Sequence, residues 1–465
     1  LNKMMKMGLI ILITAVISSG LTLALIKPET VIRETGGSTE NEDFSKLYDT
    51  YTMLEQKYYQ DTSKEKLVDG AISGMVQSLE DPYSTYMNVE DSKGFNETIS
   101  SSFEGIGAEL QEVNGQVTIV SPIKGSPAEK AGLKPKDQIV KVDGKDVKGK
   151  SVNDTVSLIR GEKGTSVKLG ISRGGSQELE FSIVRDEIPI ETVYSEMMED
   201  DIGKIQVTTF SENTAADFAE AVNELQEKGA KGIVLDLRQN PGGLMDKAIQ
   251  MSELFIPEGK NILQVEDKDG SKEVSASRND NPVTIPASVI IDEGTASAGE
   301  IMAAALNESA GIPLIGEKTF GKGTIQTQEN YKDGSSVKFT IAKWLTPSGE
   351  WVHKKGIQPS KKVSLPAYSE LPFLNSSKTL KVGDASKEVK TAQSFLNALG
   401  YKTAENGVFE EGTRKAVEKY QTDSGIKQTG TIDEKTAVSM MTDLQEKIKK
   451  NDTQLKEAVE SIKNQ

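Results

Sequence analysis

Ser297 stands in the stretch DEGTASAGEIMAAALNES, residues 292–309, where turn-forming residues run into a helical segment. A serine hydroxyl becomes a nucleophile once a neighbour takes its proton. Ser297-Ala298-Gly299-Glu300 also fits S-x-x-E, the capping box that opens a helix. The two readings are compatible, because the amides at a helix N-terminus can stabilise an oxyanion. The usual base is histidine, and the chain has one, His353. It lies in EWVHKKGIQPS beside Lys354 and Lys355 and reads as a solvated loop residue. Lys322 is the better candidate. It sits between Gly321 and Gly323, and from Thr324 the residues alternate as a strand, so Lys322 and Gln326 point the same way. A lysine is a base only when neutral, and burial favours that form. A glutamine beside it orients the amine without adding negative charge. Ser297 and Lys322 would then form a Ser–Lys dyad.

The same lysine closes Gly316-xxxx-Gly321-Lys322, close to a phosphate-binding loop. The next residue is Gly323 rather than Ser or Thr, and a strand follows where that loop opens a helix, so nucleotide binding is disfavoured. An oxyanion hole is available in LDLRQNPGG, which places Gly242 and Gly243 just past a strand. One of their amides, with that of Ala298, could hold the developing charge. Asp236 and Arg238 in that stretch suit structural ion pairs.

These residues need a rigid frame. Residues 187–366 alternate strand and helix: DIGKIQVTTF, an amphipathic helix opened by Ser211, the buried strand of KGIVLDLRQNPGG, and ASVIIDEGTASAGEI as strand, turn and helix. This predicts an α/β core with its site at the carboxyl ends of the strands. Residues 103–186, with FEGIGAEL, SPAEKAGL and the turn Lys136-Asp137-Gln138-Ile139, resemble a PDZ domain of the bacterial protease type. A lysine stands at 136 where such turns usually carry glycine. In this reading Gly105, Ile106, Gly107 and Ala108 offer backbone amides to a peptide carboxylate, and Ile106, Val156 and Ile159 line an apolar pocket for its last side chain.

Toward the N-terminus, Lys3 and Lys6 precede an uncharged run from Met7 to Ile26, long enough to span a bilayer. Residues 1–27 are expected to be an uncleaved signal anchor rather than a cleaved signal peptide, 28–42 a linker and 43–102 a helical arm whose amphipathic helices end at DPYSTYM. Residues 367–378 read as a second linker. Residues 379–442, with AQSFLNALGY, GVFEEGTRKAVEKYQ and TGTIDEKT, resemble the small helical peptidoglycan-binding fold, and 443–465 read as a charged helical tail. The 465 residues carry a net charge of −15, which argues against nucleic acid. With no cysteine, thiol nucleophiles, disulfides and Cys zinc sites are excluded, and one histidine excludes His-rich metal sites. No metal or organic cofactor is implied.

The ordered motifs DPYSTYM, LDLRQNPGG, GTASAGEI, GKGTIQT and LTPSGEW…GIQPS, around a PDZ-like domain, resemble the carboxyl-terminal processing (tail-specific) proteases over about residues 43–366. The resemblance implies a multidomain α/β protein with a crotonase-like protease core. By position it makes Ser297 the nucleophile, Lys322 the general base and Gln326 the residue that positions the lysine. It also assigns the oxyanion hole to Ala298 with a glycine of Asn240-Pro241-Gly242-Gly243. It implies cleavage of unfolded or C-terminal segments admitted by the PDZ domain, and homodimers or higher oligomers joined through terminal arms. The terminal module matches the membrane-anchored members typical of Gram-positive bacteria, with the catalytic part extracytoplasmic and peptidoglycan as a partner. Some members couple peptide binding to active-site assembly through a PDZ arginine, for which Arg160 is the candidate. Two other classes remain open: an inactive PDZ and wall-binding scaffold, and a crotonase-type enzyme acting on acyl-CoA.

Overall fold

The computed structural model describes residues 42–465, apart from Asn114 and residues 175–177. The expected anchor, 1–27, and nearly all of the first linker lie outside the described residues. Among the described residues no helix is long and apolar enough to cross a membrane. The chain divides into two compact units at Met75 and Val76. In the first, the helix Glu42–Lys57 leaves Phe44, Leu47, Tyr48, Met53 and Leu54 exposed, and Ser63 Oγ caps the next helix by accepting the Lys66 N–H.

The second unit is built on a six-stranded sheet ordered Val193–Met197, Ile202–Val207, Gly232–Asp236, Ala287–Ile291, Leu314–Gly316 and Lys361–Lys362. The first pair is antiparallel and the others are parallel. Every residue of Gly232–Asp236 and Ala287–Ile291 is buried, as expected of strands covered on both faces. One face carries Ile205, Val207, Ile233, Leu235, Val289 and Ile291 against the helices Thr214–Glu227, Met245–Glu253 and Ala298–Ala310. The other carries Ile202, Val234, Ile290 and Ile315, and is covered by Ala458 and Ile462 of the helix Thr453–Lys463. That approach is close: a methyl on Gly232 would lie 2.4 Å from Ile462 Cγ2. The stretch read as a charged tail is thus the end of one helix, Glu434–Lys450, followed by a second that completes the protease core. Its charges face solvent, while Leu455, Ala458, Val459 and Ile462 recur at helical spacing on one side.

A second sheet pairs Thr324–Asn330 with Ser336–Leu345, and the latter also with Thr85–Met87 and Asn261–Glu266. It sets the DPYSTYM segment beside Ser336–Leu345, whose other edge pairs with the strand that follows Lys322.

Residues 102–189 form the PDZ-like module, whose strands run Ala108–Val113, Gln116–Pro122, Gln138–Val142, Ser166–Ser172 and Leu179–Val184, with the helix Val152–Ile159 packed on them. Lys136 takes φ 72° at the turn where glycine was expected, a conformation an L-residue adopts at a cost of about 1 kcal/mol. Next to it Asp137 is fully buried, accepts the Lys134 N–H and pairs with Arg173 at 2.7 Å.

In the terminal module the helices Lys387–Leu399, Glu411–Asp423 and Glu434–Lys450 enclose one core. Two buried glutamines at corresponding places, Gln393 and Gln421, each hold a following loop. Gln393 bonds Gly407 N–H and Thr413 Oγ1, and Gln421 bonds Gly430 N–H and Thr436 Oγ1. The stretch read as a linker packs on this core through Tyr368, Leu371 and Leu374.

Candidate active site

Ser297 lies between the strand Ala287–Ile291 and the helix Ala298–Ala310, with φ 52° and ψ −115°. A non-glycine residue reaches that conformation only when its surroundings force it, and such strain collects at functional sites. The forcing groups are visible. Asp292 accepts the N–H groups of Gly294 and Thr295 and both backbone and side-chain N–H of Gln239. Thr295 Oγ1 donates to Leu237 O, and Ala296 N–H donates to Asn240 O. The nucleophile turn is therefore tied directly to the RQNPGG turn.

That second turn is held by Asn240, which is fully buried and donates to Val207 O while accepting the Gly242 N–H at 2.8 Å. Both glycines are obligatory. Gly242 has φ 103°, and a methyl there would sit 2.7 Å from Ser297 Cβ and 3.0 Å from Ala298 N. Gly243 has φ 138°, and a methyl there would meet Phe210 O at 2.1 Å. Because Asn240 takes the Gly242 amide, the N–H groups of Gly243 and Ala298 are the ones without partners among the described residues.

The loop Gly321–Gly323 is held at every backbone polar group. Glu300, fully buried, accepts the N–H of Gly321 at 2.7 Å and of Lys322 at 2.8 Å. The same carboxylate accepts the Ser297 N–H at 2.9 Å and the Thr319 hydroxyl at 2.5 Å. His353 Nδ1 accepts the Gly323 N–H at 3.4 Å. Lys354 N–H donates to Gly321 O, and the chain's two tryptophans donate to the next carbonyls: Trp344 to Lys322 O and Trp351 to Gly323 O, each at 2.9 Å. Such complete satisfaction leaves the Lys322 side chain as the loop's variable element.

Ser297, Lys322, Gln326, Gly242 and Gly243 line one cavity of about 460 Å³, with Lys338 at its wall. The Lys322 amine lies 5.1 Å from the centre of the Tyr83 ring. Burial lowers its pKa below the usual lysine value, and the charge on Lys338 adds to this, while Asp81 and Glu300 act in the opposite sense. Gln326 Nε2 donates to Thr324 Oγ1 at 3.0 Å and Thr340 Oγ1 at 3.1 Å. Thr340 Oγ1 in turn donates to Asp81 Oδ2 at 2.6 Å.

His353 differs from its sequence reading. It is half-buried, stacked on Trp351 and edge-on to Tyr83, and its pKa is pushed down by burial and by Lys354. Sequence reasoning also missed Glu300 as the hub of both turns, and Asp81, Tyr83, Lys338 and Thr340 around the lysine. For Asp81 and Tyr83 the available signal was their place in DPYSTYM.

The peptide-groove candidates come together. Gly105, Ile106, Gly107, Ala108, Val156 and Ile159 line one pocket of about 150 Å³ with Phe103 and Arg160. Gly107 has φ 73°, where a methyl would strike Ser126 Cβ at 2.4 Å. Arg160 packs on the Phe103 ring and pairs with Glu97 at 2.6 Å. Glu97 belongs to the helix Val89–Ser100, whose Phe95, Thr98 and Ile99 line the Ser297 cavity.

An α/β core with a strained serine turn, a partly buried lysine in the same cavity and a PDZ module is an arrangement suited to a serine-type peptidase. The chain belongs to the carboxy-terminal processing proteases: the model of peptidase family S41 matches residues 201–363. A PDZ domain is matched at residues 118–173, a peptidoglycan binding domain at 385–440, and the N-terminal domain of the activating protease CtpB at 24–91. Carboxy-terminal processing protease CtpA of Bacillus subtilis is 53% identical over the whole of both chains. CtpB of the same organism is 39% identical over 95% of this chain and 94% of its own. Among solved structures, the photosystem II D1 C-terminal processing protease is 30% identical, covers 69% of this chain and 87% of its own, and superposes with a TM-score of 0.41.

Proposed function

We propose that this chain is an endopeptidase with a Ser297–Lys322 dyad that cuts unfolded or C-terminal polypeptide segments captured by its PDZ domain. The observation that carries the proposal is the shared cavity, which joins Ser297 at the head of a helix to a lysine whose charged form is disfavoured by burial. The neutral amine takes the Ser297 proton as Oγ attacks the scissile carbonyl. The amides of Ala298 and Gly243 receive the oxyanion, and Lys322 returns the proton to the leaving amine. Water, deprotonated by the same lysine, then releases the acyl group. No cofactor enters the cycle.

Arg160 links the two sites in this reading. Its ion pair with Glu97 joins the peptide pocket to a helix that walls the catalytic cavity. Residues 1–27 would anchor the enzyme in the bacterial cell membrane by a single pass, with the catalytic part outside, and the terminal module would hold peptidoglycan. The exposed apolar residues of Glu42–Lys57 fit association into a dimer or higher oligomer.

The test compares turnover of one unfolded polypeptide bearing an apolar C-terminus, free or amidated. The free carboxylate should be cut faster, and Ser297→Ala should abolish both activities. Equal rates would remove the PDZ domain from substrate selection. Peptide binding without turnover would make the chain a scaffold.

A further inference from the structure

Asp81 lies outside the protease core in sequence, yet its carboxylate reaches the lysine's surroundings through two hydrogen bonds. We propose that Asp81 is a positioning residue that fixes the Gln326 amide with its oxygen turned toward the Lys322 amine. This rests on the reading of Lys322 as the general base.

Thr340 Oγ1 lies 2.6 Å from Asp81 Oδ2 and 3.1 Å from Gln326 Nε2. An ionised carboxylate cannot donate, so the hydroxyl gives its only proton to Asp81. Its oxygen can then only accept, and the group that reaches it must be the NH₂ end of Gln326. Thr324 Oγ1 accepts the second proton of that NH₂ at 3.0 Å. Gln326 Oε1 is left with no partner among the described residues, in the cavity that Lys322 also lines. A carbonyl there accepts an N–H from the amine and leaves the lone pair for Ser297. The flipped amide would donate to that lone pair and quench the base.

Asp81 is held ionised for the task. Its burial is outweighed by bonds from Ser84 Oγ at 2.6 Å, from Thr340 and from the Tyr83 N–H at 3.1 Å. Ser84 Oγ also accepts the Thr340 N–H at 3.2 Å, which registers the DPYST segment on the strand carrying Thr340.

The experiment is a set of double-variant cycles on the full chain, reading kcat and KM for an unfolded polypeptide. Asp81→Ala and the near-isosteric Thr340→Val should each lower kcat by on the order of tenfold and leave KM within about twofold. Read on the alkaline plateau, where Lys322 is neutral and the direct charge effect of Asp81 on it no longer matters, neither should cost anything further in a Gln326→Ala background, because what remains of their action runs through that amide. Asp81→Asn must turn an NH₂ toward either the Tyr83 N–H or the Ser84 and Thr340 hydroxyls, all of which donate to the carboxylate, so it should lose rate much as Asp81→Ala does. Losses that add to that of Gln326→Ala, or a change in KM alone, would overturn the proposal. Ser297→Ala and Lys322→Ala run beside them. If both abolish turnover while the losses add, only this inference fails. If Lys322→Ala stays active, the dyad reading fails and this inference falls with it.

Discussion

One oxygen, Glu300 Oε2, accepts the backbone N–H of Ser297 at 2.9 Å and that of Lys322 at 2.8 Å. The two candidate dyad residues are thus referenced to the same atom, although 25 positions separate them in the chain. Glu300→Gln would replace one oxygen by an NH₂ that faces an existing donor. Hydrogen bonds to a charged group contribute about 1.5–3 kcal/mol each, so the variant should lose at least that much stability. It should also lose kcat, since the nucleophile turn and the lysine loop would no longer share a reference. Chemical denaturation and turnover on the same preparation check both effects.

With Lys322 as the proposed base, activity should rise with pH, because the amine can take a proton only after losing its own. The midpoint of kcat/KM should lie below the usual lysine value of 10.5, since burial and Lys338 both disfavour the charged amine. Lys338→Gln removes one of those influences. Its acid limb should therefore move to higher pH, and an unchanged limb would show that Lys338 does not act on Lys322.

Gly242→Ala should fold with strain and lose activity. Its new methyl would press on Ser297 Cβ and Ala298 N at a backbone φ of 103°. Displacing the proposed oxyanion amides should cost on the order of 100-fold or more in kcat. A variant at near wild-type rate would show that the turn can move aside.

Much of this was legible in the sequence because the informative segments are local. The strand–turn–helix around Ser297, the Gly-rich lysine loop and the PDZ segment each announce themselves in a few consecutive residues. What stayed hidden depends on contacts between distant segments. Glu300 read as a helix cap because its bonds to Gly321 and Lys322 cross 21 and 22 positions. His353 read as solvated because its neighbours in sequence are lysines, while its neighbours in space are Trp351 and Tyr83. The helix Thr453–Lys463 read as a tail because its apolar stripe is short. Its importance lies in what it covers, and in Asp452 and Gln454, which join Asp236 in holding the partly buried Arg238 guanidinium beside the RQNPGG turn.

The central claim is that Lys322, and not His353, activates Ser297. The most direct measurement is turnover of an unfolded polypeptide by the full chain beside Ser297→Ala, Lys322→Ala and His353→Asn. The first two should fall by about 1,000-fold or more, while His353→Asn, whose ring bonds the Gly323 amide and packs on Trp351 and Tyr83, should keep most of the rate. Activity surviving in Lys322→Ala and lost in His353→Asn would contradict it.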